Sequence, residues 1–369
     1  MKGTHTNTGQ RFSRVLRDDF RNINFNRDIK HEFKELKSFY LSEEEKQRLS
    51  EMRKIKGFFF VVGWMIRSLF LHLTPMRRLL TVAGLIFILV DSSIVVNLGN
   101  GDVHANNNGL IGGTLIFIVL MLELKDKLLA KDELEAGRKV QKALTPERSP
   151  KVAGWSIWLY TRPANEVGGD LVDYLKINDS KVGIILADVA GKGLHAALLM
   201  AKLQATIRAL AADYDSLSEL CIKINNIFCR DSLPSIFASM IYMELKPEDS
   251  QIRYVNAGHF PPLLVKNDTV IDETPKSNTA LGLMKDFKYK EELINMEPGE
   301  ILVAYSDGVI EARNEYGQFF EKEKLLRVLS RISRYKFEDM GEMIVREVDN
   351  FVGDAPVNDD LSLIVIKKD

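Results

Sequence analysis

The sequence predicts an α+β protein: an antiparallel β-sandwich flanked by α-helices, preceded by a helical transmembrane hairpin and a linker helix. Hairpin-like connections with few crossovers join the strand-like runs after residue 150, which favours an antiparallel sandwich over a doubly wound parallel sheet. Two long apolar stretches before residue 125 predict the hairpin. The strand-like runs are WSIWLYT, LVDYLKI, KVGIILAD, IFASMIYMEL, QIRYVNA, EILVAYSD and LSLIVIKK, and helical patterns cover 194–213, 216–230, 322–333 and 337–350.

Composition narrows the function classes. The chain has 369 residues, enough for two or more domains, and a net charge of −1, which gives no indication of a nucleic-acid partner. Its two cysteines, Cys221 and Cys229, lie eight residues apart on one face of a predicted helix. That spacing suits small apolar side chains in a reducing compartment better than a disulfide.

The N-terminal segment 1–56 is polar and basic, with arginines among aromatic residues. Two interpretations stay open. It is either a solvated tail or a basic cytoplasmic arm held against anionic lipid.

Segment 57–124 is predicted to be a membrane region. Its first predicted span, 79–98, has twenty residues and one charge, Asp91, and is long enough for a bilayer. The second predicted span is 110–124, and 58–73 is expected to lie at the interface because it contains charged and polar residues. The alternative is a buried helical hairpin in a soluble sensor domain.

The charges beside the two spans predict their orientation. The 99–109 loop contains no Lys or Arg, which is typical of a loop on the outer side. Asp91 is costly in lipid, so it either faces a partner helix or is evidence against the first span. We therefore expect both ends to lie on the cytoplasmic side of the inner membrane. The basic flanking residues are Arg77, Arg78, Lys125, Lys127 and Lys131.

Segment 125–150 is predicted to form a charged linker helix, ended by Pro146 and Pro150. Apolar residues recur at roughly helical spacing along it. Such a helix either pairs with its counterpart in a homodimer and transmits a signal, or serves as a spacer.

The C-terminal domain, 151–369, carries aspartates at the ends of apolar strand-like runs. Asp188 follows one such run and Asp307 another, while Asp359 precedes the last. Each alone is most simply a turn or a helix cap. Together they would repel one another unless cations neutralise them, which indicates a hard divalent metal site. Two ions such as Mg²⁺ or Mn²⁺ would activate water and bind a phosphate monoester.

Six ordered motifs make residues 133–369 resemble the metal-dependent protein phosphatases (PPM family), in the bacterial SpoIIE/RsbU-like branch. The motifs are ELEAGRKVQKAL, PANEVGGDLVDY, ADVAGKGLHAALLMA, YVNAGHFPPLL, YSDGVIEARN and NDDLSLIVI. The resemblance implies the PPM phosphatase fold, a two-metal centre and hydrolysis of phosphoserine or phosphothreonine by a metal-bound water, with no side chain as nucleophile. The substrate that it implies is a regulatory protein of a partner-switching pathway, often an anti-sigma-factor antagonist.

The resemblance also implies a ligand set. Asp188 would bridge both metals, with the Val189 carbonyl as a further ligand. Asp307 and Asp359 would complete one metal, and Asp170 would serve the other directly or through water. Two more carboxylates match the motifs and would hold water next to the metals or a third ion: Asp173 and Asp360.

One glycine-containing segment and one histidine are also interpreted from the sequence. Gly191-Lys192-Gly193 is no phosphate loop, because GxxxxGK[ST] is absent, and Lys192 is expected to be solvated. His259 is expected to brace a turn next to two prolines rather than act as a general acid.

Two function classes remain: a membrane-tethered phosphoprotein phosphatase, or a catalytically weak or inactive relay that keeps the fold and binds its partner. The ligand set favours the phosphatase. In the resembling branch the linker helix, here about 134–144, and the helices at about 194–230 switch the metal site, so we expect weak basal activity that rises when the linker is ordered.

Overall fold

The computed structural model describes residues 45, 48, 49, 52, 54–90, 94–97, 102–105, 108–233, 235–271 and 278–369. The chain divides into two units, Met1–Lys127 and Leu128–Asp369. Most of the predicted basic segment 1–56, Asp91 and part of the 99–109 loop lie outside the described residues.

The described part of the first unit is mainly helical. Its elements are α1 (Lys54–His72), α2 (Pro75–Leu89), the antiparallel hairpin of β1 (Ile94–Asn97) and β2 (Asp102–Ala105), and the start of α3 (Asn108–Leu144). Pro at the first position of α2 suits the start of a helix, because its missing N–H would have no intrahelical partner there. The segment 58–73, expected at the membrane interface, lies almost wholly within α1.

The predicted span 79–98 is wrong as one continuous helix. Helix α2 ends at Leu89 and β1 begins at Ile94. The β-branched run Ile94-Val95-Val96 favours extended backbone, which explains the change of structure. At about 1.5 Å per residue the 15 residues of α2 reach only about 22 Å. A transmembrane hairpin is therefore not shown.

The second predicted span, 110–124, lies within the 37-residue helix α3. Of the helices in the described ranges, α3 alone is long and apolar enough to cross a membrane. That property is weak evidence for a span, since core helices of soluble proteins can share it.

Helices α2 and α3 approach each other closely at two glycines. A Cβ on Gly84 would lie 3.0 Å from the Gly112 carbonyl oxygen, so only small residues permit this contact. Arg77 of α2 also donates hydrogen bonds to Glu123 and Asp126 of α3, each at 2.6 Å. Small residues at a helix crossing are typical of packing in membranes, although soluble helices use them too.

The second unit contains two antiparallel sheets that pack face to face. The first sheet has the strand order β10-β9-β12-β13-β4-β3 and the second β11-β8-β7-β6-β5. The strands are β3 (Lys151–Val152), β4 (Trp155–Arg162), β5 (Asp170–Asn178), β6 (Lys181–Val189), β7 (Ala238–Leu245), β8 (Gln251–Ala257), β9 (Leu263–Lys266), β10 (Thr269–Ile271), β11 (Glu291–Asn295), β12 (Ile301–Tyr305) and β13 (Leu361–Lys368).

Helices cover both outer faces of this sandwich, which confirms the predicted fold. The helices are α4 (Leu194–Leu210) and α5 (Leu217–Asp231) on the second sheet, and α6 (Asp307–Ile310), α7 (Glu321–Leu329) and α8 (Phe337–Val352) on the side of the first. A 3₁₀ turn spans Ile332–Arg334. Cys221 and Cys229 of α5 are free thiols.

Strand β6 shows how the layers position the site. Ile184 and Leu186 enter the core between the sheets, whereas Ile185 and Ala187 enter the core beneath the helices. Burial on both faces explains the unbroken apolar run of β6. Because side chains alternate along a strand, Asp188 follows Leu186 onto the face between the sheets.

Candidate metal centre

Four elements bring the predicted carboxylates to one edge of the sandwich. Asp170 begins β5 and is paired in register with Asp188 of β6. Asp307 is the first residue of α6, directly after β12, and Asp359 shortly precedes β13, the neighbour of β12. The second sheet thus supplies two carboxylates and the first sheet two more.

These carboxylates are buried and repel one another. Burial, followed by the charges of Asp307, Asp359 and Asp360, raises the pKa of Asp188 to about 7. Burial, followed by the charge of Asp359, raises the pKa of Asp307 to about 6. The pKa of Asp170 is raised well above its usual value by burial and then by the charge of Asp188. The folded protein therefore holds negative charge that a bound cation would stabilise.

Asp170 supplies the clearest evidence for a ligand. Its Oδ2 atom is buried and has no hydrogen-bond partner, which is unusual for a buried carboxylate. The backbone next to it is also open: a Cβ on Gly169 would lie 3.0 Å from the Val189 carbonyl oxygen. Gly169 thus leaves room beside Asp170 Oδ2 and the Val189 carbonyl oxygen, the two oxygens that the resemblance assigns to metals.

The donor set fits hard divalent cations, which prefer carboxylate and carbonyl oxygens. Within the described residues, however, no three His, Cys, Asp or Glu side chains have the arrangement of a complete metal site. The carboxylates are near enough to raise one another's pKa but do not converge on a common point, as expected of like charges. The oxygen atoms of these residues are therefore suitable ligands for a divalent metal ion. Binding of the ion would require the carboxylates to move closer to one another.

Asp360 is buried beside the cluster, where it anchors a loop. Its carboxylate accepts hydrogen bonds from the backbone N–H groups of Ala164 at 2.7 Å, Gly169 at 2.6 Å and Asp170 at 3.3 Å. A Cβ on Gly308 would overlap the Asp360 carbonyl, so glycine is needed where the Asp307 turn packs on it. Asp360 therefore links the loop before Asp170 to the turn at Asp307.

Asp173 is not brought to this cluster, which corrects the expectation that it holds water or a third ion. It lies three residues after Asp170 in β5, on the helix-facing side. Arg208 of α4 donates two hydrogen bonds to its carboxylate, at 2.8 and 2.7 Å, and the Tyr174 N–H donates a third at 2.9 Å. Its oxygens are committed to these partners.

Lys192 is closer to the site than the sequence indicated. Its Nζ donates a hydrogen bond of 2.6 Å to the Asn358 carbonyl and forms an ion pair of 2.9 Å with Asp359. Its positive charge also opposes the rise in the pKa of Asp307. No local sequence pattern reveals this contact, because 167 residues separate Lys192 from Asp359.

His259 is buried, and both ring nitrogens are hydrogen bonded. Its Nε2–H donates to the Tyr305 carbonyl at 3.1 Å, so Nδ1 is the acceptor for the Ser239 hydroxyl at 2.7 Å. Burial lowers the pKa of His259 to about 4. The ring is therefore neutral near pH 7, which suits the bracing role predicted for it and not a general acid.

Gln141 of α3 is a further residue that sequence reasoning did not single out. Its side chain accepts a hydrogen bond from the Gly168 N–H at 3.1 Å and donates one to the Gly168 carbonyl at 2.8 Å. Gly168 lies two residues before Asp170. The C-terminal part of α3 thus contacts the loop that carries one of the candidate ligands.

The sandwich of two antiparallel sheets flanked by helices is the PP2C-type fold, and the carboxylate cluster lies at its edge. The family model described as Stage II sporulation protein E (SpoIIE) matches residues 178–369. The chain therefore belongs to the SpoIIE family, and the resemblance seen in its motifs is confirmed. Membership of this family implies divalent metal ions at the site.

Individual relatives agree with this assignment. Phosphoserine phosphatase RsbU of Bacillus subtilis is 29% identical over 242 residues, covering 64% of this chain and 70% of that protein. Protein IcfG of Synechocystis is 23% identical over 346 residues, covering 85% of this chain and 54% of IcfG. This chain thus spans about half the length of IcfG. The SiaA-PP2C domain of Pseudomonas aeruginosa shares the fold, with a TM-score of 0.58 at 18% identity over 66% of this chain and 99% of that domain.

Proposed function

We propose that the chain is a membrane-tethered serine/threonine phosphoprotein phosphatase. The observation that carries the proposal is the buried carboxylate cluster, in which Asp170 Oδ2 has no partner and Asp188 has a pKa near 7. Such a cluster destabilises the fold unless a cation binds, so a structural role alone does not account for it.

Each residue of the cluster has a proposed role. Asp188 would hold both of two divalent ions, Mn²⁺ or Mg²⁺, with the Val189 carbonyl as a further ligand. Asp307 and Asp359 would hold one of these ions and Asp170 the other. When bound, the ions supply an activated water nucleophile and compensate charge on the phosphoryl oxygens. The ligand set needs no nucleophilic side chain.

Neighbouring residues hold this arrangement in place. Asp360 fixes the backbone at Ala164, Gly169 and Asp170 through the three hydrogen bonds that it accepts. Neutral His259 orients the Ser239 hydroxyl, and it is not a suitable proton donor at neutral pH because its pKa is about 4.

The proposed substrate is a phosphorylated regulatory protein, in particular an anti-sigma-factor antagonist of a partner-switching pathway. Support comes from the family and from RsbU, whose name describes a phosphoserine phosphatase. RsbU is 29% identical to this chain, and a shared fold does not by itself determine which protein is dephosphorylated.

The test is release of phosphate from phosphoserine and phosphothreonine peptides by the full chain in detergent, with and without Mn²⁺. We expect Mn²⁺-dependent hydrolysis that Asp188→Asn reduces by at least about 100-fold. Asp179→Asn is the matched control, because Asp179 lies in the exposed turn between β5 and β6, where it pairs with Lys176. Equal activity of the two variants would contradict the proposed centre.

The alternative, a relay that binds a partner without catalysis, makes a distinct prediction. The unconverged carboxylates and the Lys192–Asp359 ion pair are the observations in its favour. A relay would release no phosphate with Mn²⁺, with or without the partner, yet would still bind the phosphorylated partner.

The proposed tether is the apolar N-terminal part of α3, with the phosphatase domain in the cytoplasm. Supporting it, many large apolar side chains on the helices of the first unit are exposed, such as Phe59 at 70%, Leu79 at 67% and Leu110 at 75%. Soluble proteins rarely leave so much apolar surface uncovered. The chain should stay in membrane pellets after alkaline carbonate washing, and release by carbonate would contradict the tether.

The segment of α3 beyond the apolar part is proposed to pair with its counterpart in a homodimer and to control the site. Exposed Leu128, Leu129 and Val140 could form part of such a contact, and Gln141 connects this helix to Gly168. Disulfide cross-linking of single cysteines placed at 128–140 in a background without Cys221 and Cys229 tests the pairing. If the monomeric phosphatase domain were as active as the full chain in membranes, this control would be ruled out.

A further inference from the structure

A cavity of about 320 Å³ opens beside the carboxylate cluster. Asp188 and Asp307 form part of its wall, so it is continuous with the candidate metal centre. We call it the phenylalanine cavity, because two exposed phenylalanines also contribute to its wall. The lining residues are Asp188, Phe237, Ser239, Gly258, His259, Phe260, Pro261 and Asp307.

Phe237 is fixed relative to Asp188. It directly precedes β7, whose register pairs Ser239 with Asp188. The Phe237 carbonyl accepts a hydrogen bond of 2.9 Å from the N–H of Ala190, two residues after Asp188. The side chain nevertheless remains 40% exposed.

Phe260 is fixed relative to Asp307 in a comparable way. Its ring stacks on Tyr305, with centroids 5.7 Å apart and an interplanar angle of 13°. Tyr305 lies two residues before Asp307, and its carbonyl accepts the His259 hydrogen bond. Phe260 also remains 38% exposed.

A single exposed phenylalanine is ordinary on a protein surface. Here each of two carboxylate-bearing segments holds one such ring on a rigid support, and both rings line the same cavity. Among the described residues that line it, only Asp188 and Asp307 are charged, since the His259 ring is neutral at pH 7. Ligand sites typically combine apolar and aromatic walls with a few polar groups, so the two rings and Pro261 give this cavity an apolar part beside its carboxylates.

We propose that the phenylalanine cavity binds an apolar side chain of the substrate, located within two residues of the phosphorylated serine or threonine. This inference rests on the proposed phosphatase function and adds a sequence preference to it. In an extended peptide each residue rises about 3.3 Å, so such a side chain lies within about 7 Å of the phosphorylated residue. The phosphoryl group would face the carboxylate side while the apolar group contacts the rings.

The experiment uses the full chain in detergent with Mn²⁺ and a series of phosphoserine peptides. Each peptide is Ala-Ala-phosphoSer-Ala-Ala with one alanine replaced by Leu, Asn, Asp or Lys. Leucine and asparagine have similar size, so their ratio of kcat/KM isolates the apolar contribution. At one position we expect Leu to exceed Asn by about tenfold, the effect of partly burying a leucine side chain.

Variants connect this preference to the cavity. In Phe237→Ala the Leu/Asn ratio should fall to about twofold or less, and Phe237→Leu should retain more of it because an apolar wall remains. The control is Leu293→Ala, since Leu293 of β11 is 57% exposed and does not line the cavity. It should keep the wild-type ratio.

The outcomes separate this inference from the proposed function. Hydrolysis of all peptides at similar rates, or a preference for Asp or Lys, would contradict the proposed binding of an apolar side chain in the cavity. The proposed phosphatase function would still be supported. A leucine preference that survives Phe237→Ala would contradict binding in the cavity as well. No phosphate release from any peptide would refute the proposed function and this inference with it. A leucine preference lost in Phe237→Ala and kept in Leu293→Ala supports both.

Discussion

Asp170 and Asp173 lie in one strand, three residues apart, and their surroundings differ completely. Asp170 faces the space between the sheets, where one oxygen has no partner and where burial, followed by nearby carboxylates, raises its pKa. Asp173 faces α4, where Arg208 and the Tyr174 N–H occupy its oxygens. Both are buried, at 5% and 1% exposure. Burial alone therefore does not identify a metal ligand; the missing counter-charge does.

The largest expected difference between the two aspartates is in catalysis. Asp170→Asn should lower kcat/KM for a phosphoserine peptide by at least about 100-fold, because a metal ligand is lost. Its metal-free fold should be at least as stable as wild type, since a repelled charge is removed. Phosphate release and urea unfolding in EDTA measure the two effects. A variant that is both active and destabilised would show that Asp170 is structural.

The opposite result is expected on the other face of the strand. Arg208→Met leaves the Asp173 carboxylate buried without its cation, which for a fully enclosed pair costs about 3–5 kcal/mol. Because Arg208 is 40% exposed, we expect a loss of about 2 kcal/mol in the free energy of unfolding. Urea unfolding measures it. Lys176→Met, which breaks the exposed pair with Asp179, serves as the control and should have no measurable effect. If Arg208→Met and Lys176→Met had equal free energies of unfolding, the Arg208–Asp173 pair would not be the stabilising contact inferred from its burial.

The pH dependence of the metal-free protein should reflect the carboxylate cluster. Burial and neighbouring charges place the pKa of Asp188 at about 7, against about 3.9 in an unfolded chain. The folded state thus binds more protons, and the free energy of unfolding falls as pH rises towards and through 7.

His259, with its pKa lowered to about 4 by burial, acts in the opposite direction until the unfolded-state imidazole, with a pKa of about 6.5, has lost its proton. Between pH 6.5 and 8 the loss from the carboxylates exceeds the remaining gain from His259, and stability should fall by roughly 1 kcal/mol or less. Urea midpoints in EDTA at the two pH values test this, and Asp188→Asn should flatten the change. A midpoint that rises over this window would contradict the prediction.

The smallest expected effect concerns Lys192. It is the cation that pairs with Asp359, and a divalent ion at Asp359 would compete with it. Lys192→Met should therefore tighten Mn²⁺ binding by at most about fivefold, the scale of an exposed ion pair. Lys192→Arg keeps the charge and should change little. Calorimetric titration with Mn²⁺ measures both, and weaker binding by Lys192→Met would show that Lys192 supports the site instead.

Much of the second unit could be predicted from sequence, and specific features explain where prediction failed. The apolar run of β6 identified a doubly buried strand, and the ordered motifs identified the carboxylates at its end. The spacing of Asp170 and Asp173 already indicated that Asp173 lies away from the cluster, because side chains three residues apart on a strand face opposite sides of the sheet. The contacts Lys192–Asp359 and Gln141–Gly168 depend on the folded topology, so no local pattern predicts them.

In the first unit, prediction from hydropathy alone failed for a physical reason. The stretch 79–98 is mostly apolar with one charge, Asp91, so average hydrophobicity indicated one helix. Its second half contains Ile94, Val95 and Val96, whose branched side chains favour a strand, and α2 ends before them. Apolar character predicts burial or membrane contact, whereas side-chain branching influences which secondary structure forms.

The position of β13 has a consequence for how this protein is made. This strand, residues 361–368, lies between β12 and β4 inside the first sheet, and Asp360 just before it anchors the loop at Asp170. A ribosome must therefore deliver some 190 further residues after Asp170 before that loop gains its anchor. Pairing of distant segments is slow, so closure of the sheet by β13 is expected to be a late folding step. Until then a nascent chain would be phosphatase-inactive, and dephosphorylation would begin only when synthesis of this strand is complete.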